Sequence, residues 1–285
     1  MLVLETITDK RLWGGHLYSL YCREEISNRI LNGEQKGQYL NDVFPDWKAD
    51  FQMSKYPYFP LTIALTNAED DLSIQVHPDD EKASELEHLS RGKRESWYFL
   101  RAPRTGAIVN GCREKNIDKI RDSVDHNSYD AIIDYLSVQE GDYVFVEPGT
   151  LHSISAGSLV FEIEEGADFT YRFFDFNRKD SEGNLRELHT EKALKCLNPC
   201  LKSIARRYPS ENIIQEKTYR TEIIQDRDKY INDSQTISCF TLVEGLTKCD
   251  GIDLRYGMTV ILFPSEAVDC KDVRLAFVSQ LNLGV

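Results

Sequence analysis

The sequence predicts a mainly β protein in which antiparallel strands close into a barrel or jelly roll. Short runs of β-branched and aromatic residues recur along the chain, and turn residues bound them. No long helix separates these runs, as it would in a parallel α/β sheet. The runs are PLTIALT at 60–66, LSIQVH at 72–77, SWYFL at 96–100, GDYVFVEPG at 141–149 and SLVFEIEE at 158–165.

Two helical insertions are predicted between the strands. In the first, near 79–90, an aspartate at position 79 or 80 can cap a helix. Its apolar side is formed by Ala83, Leu86 and Leu89. The second spans roughly 115–137, where apolar residues recur at helical spacing around a polar break at HNS, namely Ile117, Ile120, Val124, Ile132, Ile133 and Leu136. Both insertions are expected to cover the barrel.

The pattern changes near residue 200, which predicts two domains. A segment rich in Lys, Arg, Glu and Gln precedes the strand-like runs TISCFTLVEG and GIDLRYGMTVILFP. We therefore expect one domain at 1–200, with the helical insertions, and a smaller β domain at 201–285. The six histidines are at positions 16, 77, 88, 126, 152 and 189, so metal chemistry is expected in the first domain only.

Composition and charge narrow the class of protein. Hydrophobic residues make up 41% and charged residues 28% of the 285 residues, which is typical of a globular protein. The net charge of -13 predicts no general affinity for nucleic acid or anionic membranes. The start MLVLETITDKRLWGG is not typical of a secretory signal, and no apolar run is long enough to span a membrane. A cytoplasmic protein is expected.

The cysteine pattern favours reduced thiols. Seven cysteines are scattered along the chain, an odd number that fits a disulfide framework poorly. The stretch CLNPC at 196–200 offers two cysteines four residues apart, which is a possible metal site. Because no second Cys or His pair follows, free thiols are the favoured interpretation.

The stretch LSIQVHPDD at 72–80 raises the question of function. Alternate residues of a strand project from one face, so Ser73, Gln75 and His77 share a side. Glu95 and His152 supply two further groups of the kind that bind zinc, and three such ligands suffice for a catalytic site. Spacing alone also permits the simpler interpretation, in which His77 is a hydrogen-bonded, partly buried side chain without a function.

Several segments together resemble the type I phosphomannose isomerases, in their short bacterial form. The resemblance covers about two thirds of the chain and depends on a combination of motifs, none of which is specific alone. The segments are RLWGG, LSIQVHPDD, GKRESWYFL, GDYVFVEPGTLHSI and FEIEEGADFTYRFFDFNRKDSEGNLRELHTEKAL. The resemblance implies a cupin fold, in which two double-stranded β-helix (jelly-roll) barrels carry helical insertions.

The resemblance also implies a set of site residues. One zinc ion per chain is expected, with His77, Glu95 and His152 as ligands and Gln75 as a fourth. The implied catalytic residues are Arg172, Lys93 and Glu162, and the implied substrate contacts are Ser73 and Arg178. The three basic residues could instead be surface cations, and Ser73 could satisfy a backbone group.

The implied reaction is an aldose-ketose isomerisation in carbohydrate metabolism, in which mannose 6-phosphate and fructose 6-phosphate interconvert through an enediol. Zinc would act as the Lewis acid, and Lys93 or Glu162 would transfer the proton. The implied partner is a small sugar phosphate, and the oligomeric state is not predicted.

Three departures from the family pattern bear on this assignment. Ala64 stands where the family usually has a lysine, which removes a cation. The turn before His152 reads EPG where relatives tend to have P-x-G, so a local change is expected. Region 22–55 lacks the family's Gly-Glu-x-Trp segment, so a remodelled pocket wall is expected.

Two alternatives to mannose-6-phosphate isomerase activity remain open on the sequence. The chain could be a non-catalytic zinc cupin that binds a sugar or sugar phosphate, or an isomerase of another aldose. Ala64 favours the alternatives. Retention of Lys93, Glu95 and Arg172 favours the isomerase, because a binding module needs no proton-transfer groups.

Overall fold

The computed structural model describes residues 1–208 and 212–282, and strands account for 41% of the residues against 13% in helices. The predicted mainly β class is confirmed. The strands of the described residues are β1 Leu2–Val3, β2 Ile7–Arg11, β3 Gly14–Leu20, β4 Leu61–Ala68, β5 Ile74–Val76, β6 Lys93–Arg101, β7 Ala107–Cys112, β8 Ile133–Ser137, β9 Asp142–Val146, β10 His152–Ser153, β11 Leu159–Gly166, β12 Tyr171–Phe174, β13 Ala205–Arg207, β14 Ile213–Gln215, β15 Tyr219–Ile224, β16 Lys229–Ile231, β17 Ser238–Gly245, β18 Lys248–Cys249, β19 Ile252–Asp253, β20 Thr259–Leu262, β21 Ala267–Asp269 and β22 Val273–Leu281. The helices are α1 Leu40–Trp47, α2 Asp80–Glu87, α3 Ile117–Asp125 and α4 Thr190–Cys196, with a short 3-10 helix at Tyr129–Ala131.

The chain forms two compact units. The C-terminal unit comprises Met1–Asp9, Leu17–Leu65 and the described part of Tyr208–Val285, and the central unit comprises Lys10–His16 and Thr66–Arg207. This division differs from the predicted domains 1–200 and 201–285 at the N-terminal side. The first residues group with the C-terminal strands because β1 pairs antiparallel with β20.

The C-terminal unit is organised around a six-stranded sheet with the order β1-β20-β17-β22-β15-β14. Buried apolar side chains from these strands, such as Phe240, Val260 and Val278, form its core. In α1, which the sequence did not predict, Phe44 and Trp47 pack edge to face. Region 22–55 therefore contains a helix with an apolar side.

Two sheets contain six of the nine predicted site residues, and Ser73 and His77 flank β5. A five-stranded sheet has the order β12-β5-β10-β7-β8, and a seven-stranded sheet has the order β13-β9-β6-β11-β4-β3-β2. The division between the two units falls within β2, β3 and β4. The ladders that join β11 to β6 and β12 to β5 are antiparallel. This agrees with the predicted cupin fold.

The first predicted insertion is confirmed as α2. The Asp79 carboxylate caps the helix by accepting from the Lys82 amide at 2.8 Å. Ala83 is fully buried, whereas Leu89 is 38% exposed. The helix ends at Glu87 and His88 is left-handed, with φ of 59°, so Leu89 no longer follows the apolar side.

The second predicted insertion, at 115–137, is wrong in its second half. Helix α3 begins after Asn116, whose side chain caps the first turn, and ends at Asp125. Asn127 then adopts a left-handed conformation, with φ of 54°, which stops the helix. Ile133 and Leu136 lie in β8, which pairs with β7. Backbone pairing with a sheet edge thus overrides the helical spacing of these residues.

Candidate active site

Three predicted metal-binding side chains converge in the central unit. His77 Nε2 lies 2.9 Å from Glu95 Oε2 and 3.2 Å from His152 Nε2. His152 Nε2 lies 3.8 Å from Glu95 Oε1. All three residues are fully buried. Residues that are far apart in the sequence therefore form one candidate metal site.

Strand pairing and one tight turn produce this convergence. Gln75 of β5 pairs directly with His152 of β10, so their side chains share a face. The Gly149 amide donates to the His77 carbonyl at 2.9 Å and fixes the turn before His152. Gly149 has φ of 88°, which favours glycine, and an added Cβ would meet the Cys196 carbonyl at 3.0 Å. The EPG sequence thus forms a close turn directly before His152.

The proton positions on the two imidazoles follow from their partners. His77 Nδ1 lies 2.6 Å from the Phe169 carbonyl, and His152 Nδ1 lies 2.8 Å from the Thr150 carbonyl. A carbonyl can only accept, so each Nδ1 carries the proton and each Nε2 has a free lone pair. Burial lowers the pKa of His77, and it lowers the pKa of His152 to about 4, so both rings are neutral at pH 7.

The centre therefore holds three acceptors that face one another. Burial opposes the ionisation of Glu95, but the Lys93 ammonium holds its pKa below the usual range. An ionised carboxylate and two bare imidazole nitrogens repel each other at these distances unless a cation lies among them. The donor set of two nitrogens and a carboxylate is one that zinc binds. The residues fit a divalent metal.

Gln75 and Ser73 lie beside this centre. The Gln75 amide nitrogen is 3.4 Å from His152 Nε2, and its Oε1 accepts from the Ser73 hydroxyl at 3.0 Å. The oxygen that would bind a metal therefore faces Ser73. Rotation of the amide by half a turn would present this oxygen to the centre, because the Ser73 hydroxyl can also accept.

Lys93 connects the centre to a second carboxylate group. Its Nζ lies 2.6 Å from Glu164 Oε1 and 3.2 Å from Glu95 Oε2. Burial acts to lower the Lys93 pKa, but Glu164 and Glu95 outweigh it and raise the pKa above its ordinary value. Lys93 is thus a buried ammonium that is held by two carboxylates, which excludes the alternative that it is a solvated surface cation.

Glu162 is buried on β11 among both donors and other carboxylates. Trp97 Nε1 donates to its Oε1 at 3.1 Å, and the Thr66 hydroxyl donates to its Oε2. Burial and the nearby Glu95 and Glu164 raise the pKa of Glu162 to about 8. A carboxyl group with such a pKa can both accept and donate a proton near neutral pH.

Arg172 lies opposite Gln75 in the register of β12 and β5, so the two side chains share a face. Its Nε is buried and has no hydrogen-bond partner within the described chain. Burial lowers the pKa of Arg172. A buried guanidinium nitrogen without a partner is available to a ligand.

Arg178 lies in a separate cluster around Asp175. Its guanidinium donates to the Asp175 carboxylate and to the backbone carbonyl of Asp71. The same Asp175 oxygen lies 3.4 Å from Arg186 Nη1. The structure therefore does not place Arg178 with the His77 centre, but it places two arginines on one carboxylate.

Four residues of the site were not singled out on the sequence. They are His16, Thr66, Trp97 and Glu164, and all are joined to the predicted residues by hydrogen bonds or ion pairs. Strand alternation could have found Glu164, which lies two positions after Glu162 on β11. His16 comes from a distant segment and had no such signal.

A second group of buried carboxylates, which the sequence did not predict, adjoins the His77 centre. In the parts of the chain that the structure describes, the groups able to hold a metal are His77, Glu95 and His152, and Glu95, Glu162 and Glu164. Neither includes a cysteine. All seven cysteines lie in the described ranges and are free, as predicted. Among residues 1–208 and 212–282, no helix is long and apolar enough to cross a membrane.

The fold and the buried His, His and Glu group define a cupin-type protein with a candidate metal site. No family model matches the chain. A probable mannose-6-phosphate isomerase of Bacillus subtilis is 30% identical over 213 residues, which are 69% of this chain and 68% of the relative. A mannose-6-phosphate isomerase of Streptococcus mutans is 31% identical over 214 residues, 69% of this chain and 67% of the relative. The chain belongs to the mannose-6-phosphate isomerase family and is an isomerase of that type.

Solved structures agree with this fold. The crystal structure of mannose 6-phosphate isomerase from Bacillus subtilis matches with a TM-score of 0.83 at 23% identity, over 98% of both chains. A zinc-bound mannose 6-phosphate isomerase matches with a TM-score of 0.64 at 10% identity, over 99% of both chains. At these identities the structures establish the shared fold.

Proposed function

We propose that this protein interconverts mannose 6-phosphate and fructose 6-phosphate with the help of one bound zinc ion. The observation that carries the proposal is the facing pair of imidazole nitrogens, 3.2 Å apart and beside the Glu95 carboxylate. The names of the relatives supply the substrate, and the zinc-bound structure of the same fold supplies the metal.

The geometry of the centre supports zinc. Two nitrogen ligands at roughly 2.0–2.1 Å from a tetrahedral zinc ion lie about 3.3 Å from each other. His77 Nε2 and His152 Nε2 are 3.2 Å apart. Their Nδ1 protons are already donated to carbonyls, which orients both rings. His77, Glu95 and His152 would hold the ion, with Gln75 as the fourth ligand.

The residues of the chain would divide the proton transfer as follows. Zinc, when bound, supplies Lewis acidity toward the oxygens on C1 and C2 of the open-chain sugar. Glu162 takes the proton from C2, the C–H electron pair forms the C1–C2 double bond, and the carbonyl pair moves to O1. Glu162 then returns the proton to C1, where the electron pair of the C1–C2 double bond forms the new C–H bond. O2 loses its hydroxyl proton and forms the C2–O2 double bond, and O1 gains a proton. Atoms and electrons balance, since the two sugars are isomers.

Geometry favours Glu162 over Lys93 as the base. Lys93 donates to two carboxylates, at 2.6 and 3.2 Å, and an ammonium has no lone pair to accept a proton. It would instead stabilise negative charge near the substrate. Glu162 keeps free lone pairs because Trp97 and Thr66 engage only one on each oxygen. Arg172, with its unpartnered Nε, would stabilise charge on the sugar oxygens or assist ring opening.

Ser73 and Arg178 would contact the substrate phosphate. Arg178 and Arg186 share one Asp175 oxygen, so the cluster has more positive than negative charge. A phosphate group would compensate this excess. Because Ala64 stands where the family usually has a lysine, this phosphate site would have one cation fewer. The same substitution favours one second candidate, an isomerase of another aldose, whose phosphate group is absent or differently placed.

An isomerisation assay with metal analysis tests the proposal. The purified protein should convert mannose 6-phosphate faster than unphosphorylated mannose or other aldoses, and elemental analysis should find about one zinc per chain, as one closed ligand set requires. The double variant His77→Ala, His152→Ala should lose the zinc and the activity.

The variant His126→Ala is the matched control, since this side chain is 72% exposed and lies on α3's end. It should keep both zinc and activity. If the folded double variant retains the wild-type zinc content, the metal assignment is wrong. If the wild type isomerises another aldose better than mannose 6-phosphate, the second candidate is correct.

A further inference from the structure

A chain of hydrogen bonds leads away from Glu162 on the side opposite Trp97. The Thr66 hydroxyl donates to Glu162 Oε2, and His16 Nδ1 lies 2.8 Å from the Thr66 oxygen. His16 Nδ1 is itself 3.6 Å from Glu162 Oε2, which is too long for a direct hydrogen bond. Thr66 therefore bridges the imidazole and the carboxylate.

The single hydroxyl proton fixes the direction of this chain. When Glu162 is ionised, Thr66 donates its proton to Glu162, so the Thr66 oxygen accepts from His16 and Nδ1 of His16 carries a hydrogen. Burial and the nearby Lys93 and Arg11 lower the pKa of His16 to about 4. The ring is thus a neutral donor at the pH at which the enzyme would work. The Trp13 ring packs edge-on against it with centroids 5.0 Å apart.

We propose that His16 and Thr66 are positioning residues, which hold the Glu162 carboxylate in the orientation that proton transfer requires. This inference rests on the proposed function. It adds two residues for which neither the motifs nor the charge pattern gave a role. Neither residue needs to touch the substrate, since each acts through Glu162.

The charged groups that surround Glu162 explain why it needs such donors. Glu95 and Lys93 face it from β6, Glu164 lies on its own strand, and His16 approaches from β3. Burial and the two carboxylates disfavour its ionised form, whereas hydrogen bonds from Thr66 and Trp97 favour it. Loss of the Thr66 hydroxyl should therefore raise the pH at which Glu162 becomes a base.

The pH profile of kcat/KM for isomerisation tests the role of Thr66. The acidic limb of this profile is the range in which kcat/KM rises with pH as Glu162 loses its proton. In Thr66→Val this limb should move to higher pH by about one unit, the scale of one hydrogen bond to a charged group. Thr66→Ser keeps the hydroxyl and should keep the wild-type limb. Thr221→Val is the control, because Thr221 is equally buried and its hydroxyl has no partner within the described chain.

A second pair of variants tests His16. Asparagine can place an N–H near the position of Nδ1, so His16→Asn should keep the wild-type profile, whereas His16→Leu should move the limb in the same direction as Thr66→Val. Zinc content should stay unchanged in the two Thr66 variants and the two His16 variants. If Thr66→Val does not fold, Trp97→Phe removes the other donor to Glu162 and should give the same shift.

The inference is overturned if the variants that lack a donor keep the wild-type limb, or if His16→Asn and His16→Leu lose activity equally. A wild-type protein that does not isomerise mannose 6-phosphate would instead contradict the proposed function. The two failures are therefore distinguishable.

Discussion

At the scale of single residues, Arg172 stands out because one of its hydrogen-bond donors has no partner within the described chain. Its Nε is buried without a partner, although buried polar atoms in proteins nearly always have one. The residue lies on β12 opposite Gln75 and so belongs to the same face as the candidate zinc ligands. Its position and its free donor fit the role toward the substrate that is proposed above.

The variant Arg172→Lys keeps the charge but loses the planar guanidinium and its Nε donor. We expect kcat to fall by roughly a hundredfold or more, the scale of a lost transition-state donor. Arg274→Lys is the matched control, because that side chain is 73% exposed and lies in the C-terminal unit. Steady-state kinetics measure both. Unchanged turnover in Arg172→Lys would exclude the catalytic role.

Ala64 gives the second prediction at this scale. It is 1% exposed and lies two residues before Thr66 on β4, so a side chain there projects from the same face as Thr66. A charge-assisted hydrogen bond contributes about 1.5–3 kcal/mol, so losing one such contact to phosphate weakens binding by about 10 to 150-fold. Ala64→Lys should therefore raise kcat/KM for mannose 6-phosphate at least several-fold.

The control for this prediction is Ala64→Met, which adds similar bulk without charge. It should not improve kcat/KM. If the wild type is already an efficient enzyme and Ala64→Lys brings no gain, then the Arg178 and Arg186 cluster replaces the missing lysine. The idea of a weakened phosphate site would then be dropped.

At the scale of elements, the β6 and β11 ladder positions most of the acidic groups. Glu95 pairs with Glu164, and Trp97 pairs with Glu162, so directly opposite residues carry the site. The ladder ends where Gly166 pairs with Lys93. At Gly166, φ is 106° and an added Cβ would lie 2.0 Å from the Gly92 carbonyl.

Gly166→Ala should therefore destabilise the protein strongly. Backbone strain at positive φ costs roughly 1–2 kcal/mol, and the clash with the Gly92 carbonyl adds to it, so we expect about 2–4 kcal/mol. Gly183→Ala is matched, with φ of 87° and no atom within 4 Å of the added Cβ, and should show the strain alone. Urea unfolding measures the difference. Equal losses in both variants would refute the close-approach argument.

Element prediction succeeded where local signals agreed with the tertiary structure. Asp79 caps α2 as its sequence position indicates. It failed at 115–137, where the apolar residues of β8 have helical spacing but pair with a neighbouring strand. Helix α1 has Pro45 inside it, which argues against a helix in the sequence, and its apolar side is buried. In both cases long-range packing decided the local structure.

At the scale of the whole molecule, metal binding should contribute to stability. An ion that binds only the folded chain stabilises it by about 2.7 kcal/mol when it is present at 100 times its Kd. The midpoint of thermal unfolding should therefore fall by roughly 5–10 °C when a chelator removes the metal, at the entropy typical of a domain of this size. Readdition of zinc should restore it.

The double variant His77→Ala, His152→Ala provides the control for metal removal. Its unfolding midpoint should respond neither to chelator nor to zinc. If the unfolding midpoint of the wild-type protein also fails to change with chelator or zinc, no metal binds preferentially to the folded state.

The sequence by itself determined the mainly β class, the α2 insertion and the residue types of the site. These depend on strand alternation, capping and motif spacing, which are local properties of the chain. It also determined the family, because QVHPDD, GK-x-E, GT-x-H and TYR occur together at the right distances.

Only the tertiary structure decided which side chains meet and which way each atom faces. The 3.2 Å between the two imidazole nitrogens, the Nδ1 donors that orient them, and the link from His16 through Thr66 to Glu162 arise from strands far apart in the sequence. The grouping of the first strand with the C-terminal sheet has the same origin. Such contacts depend on long-range pairing and burial, which no local pattern of residues encodes.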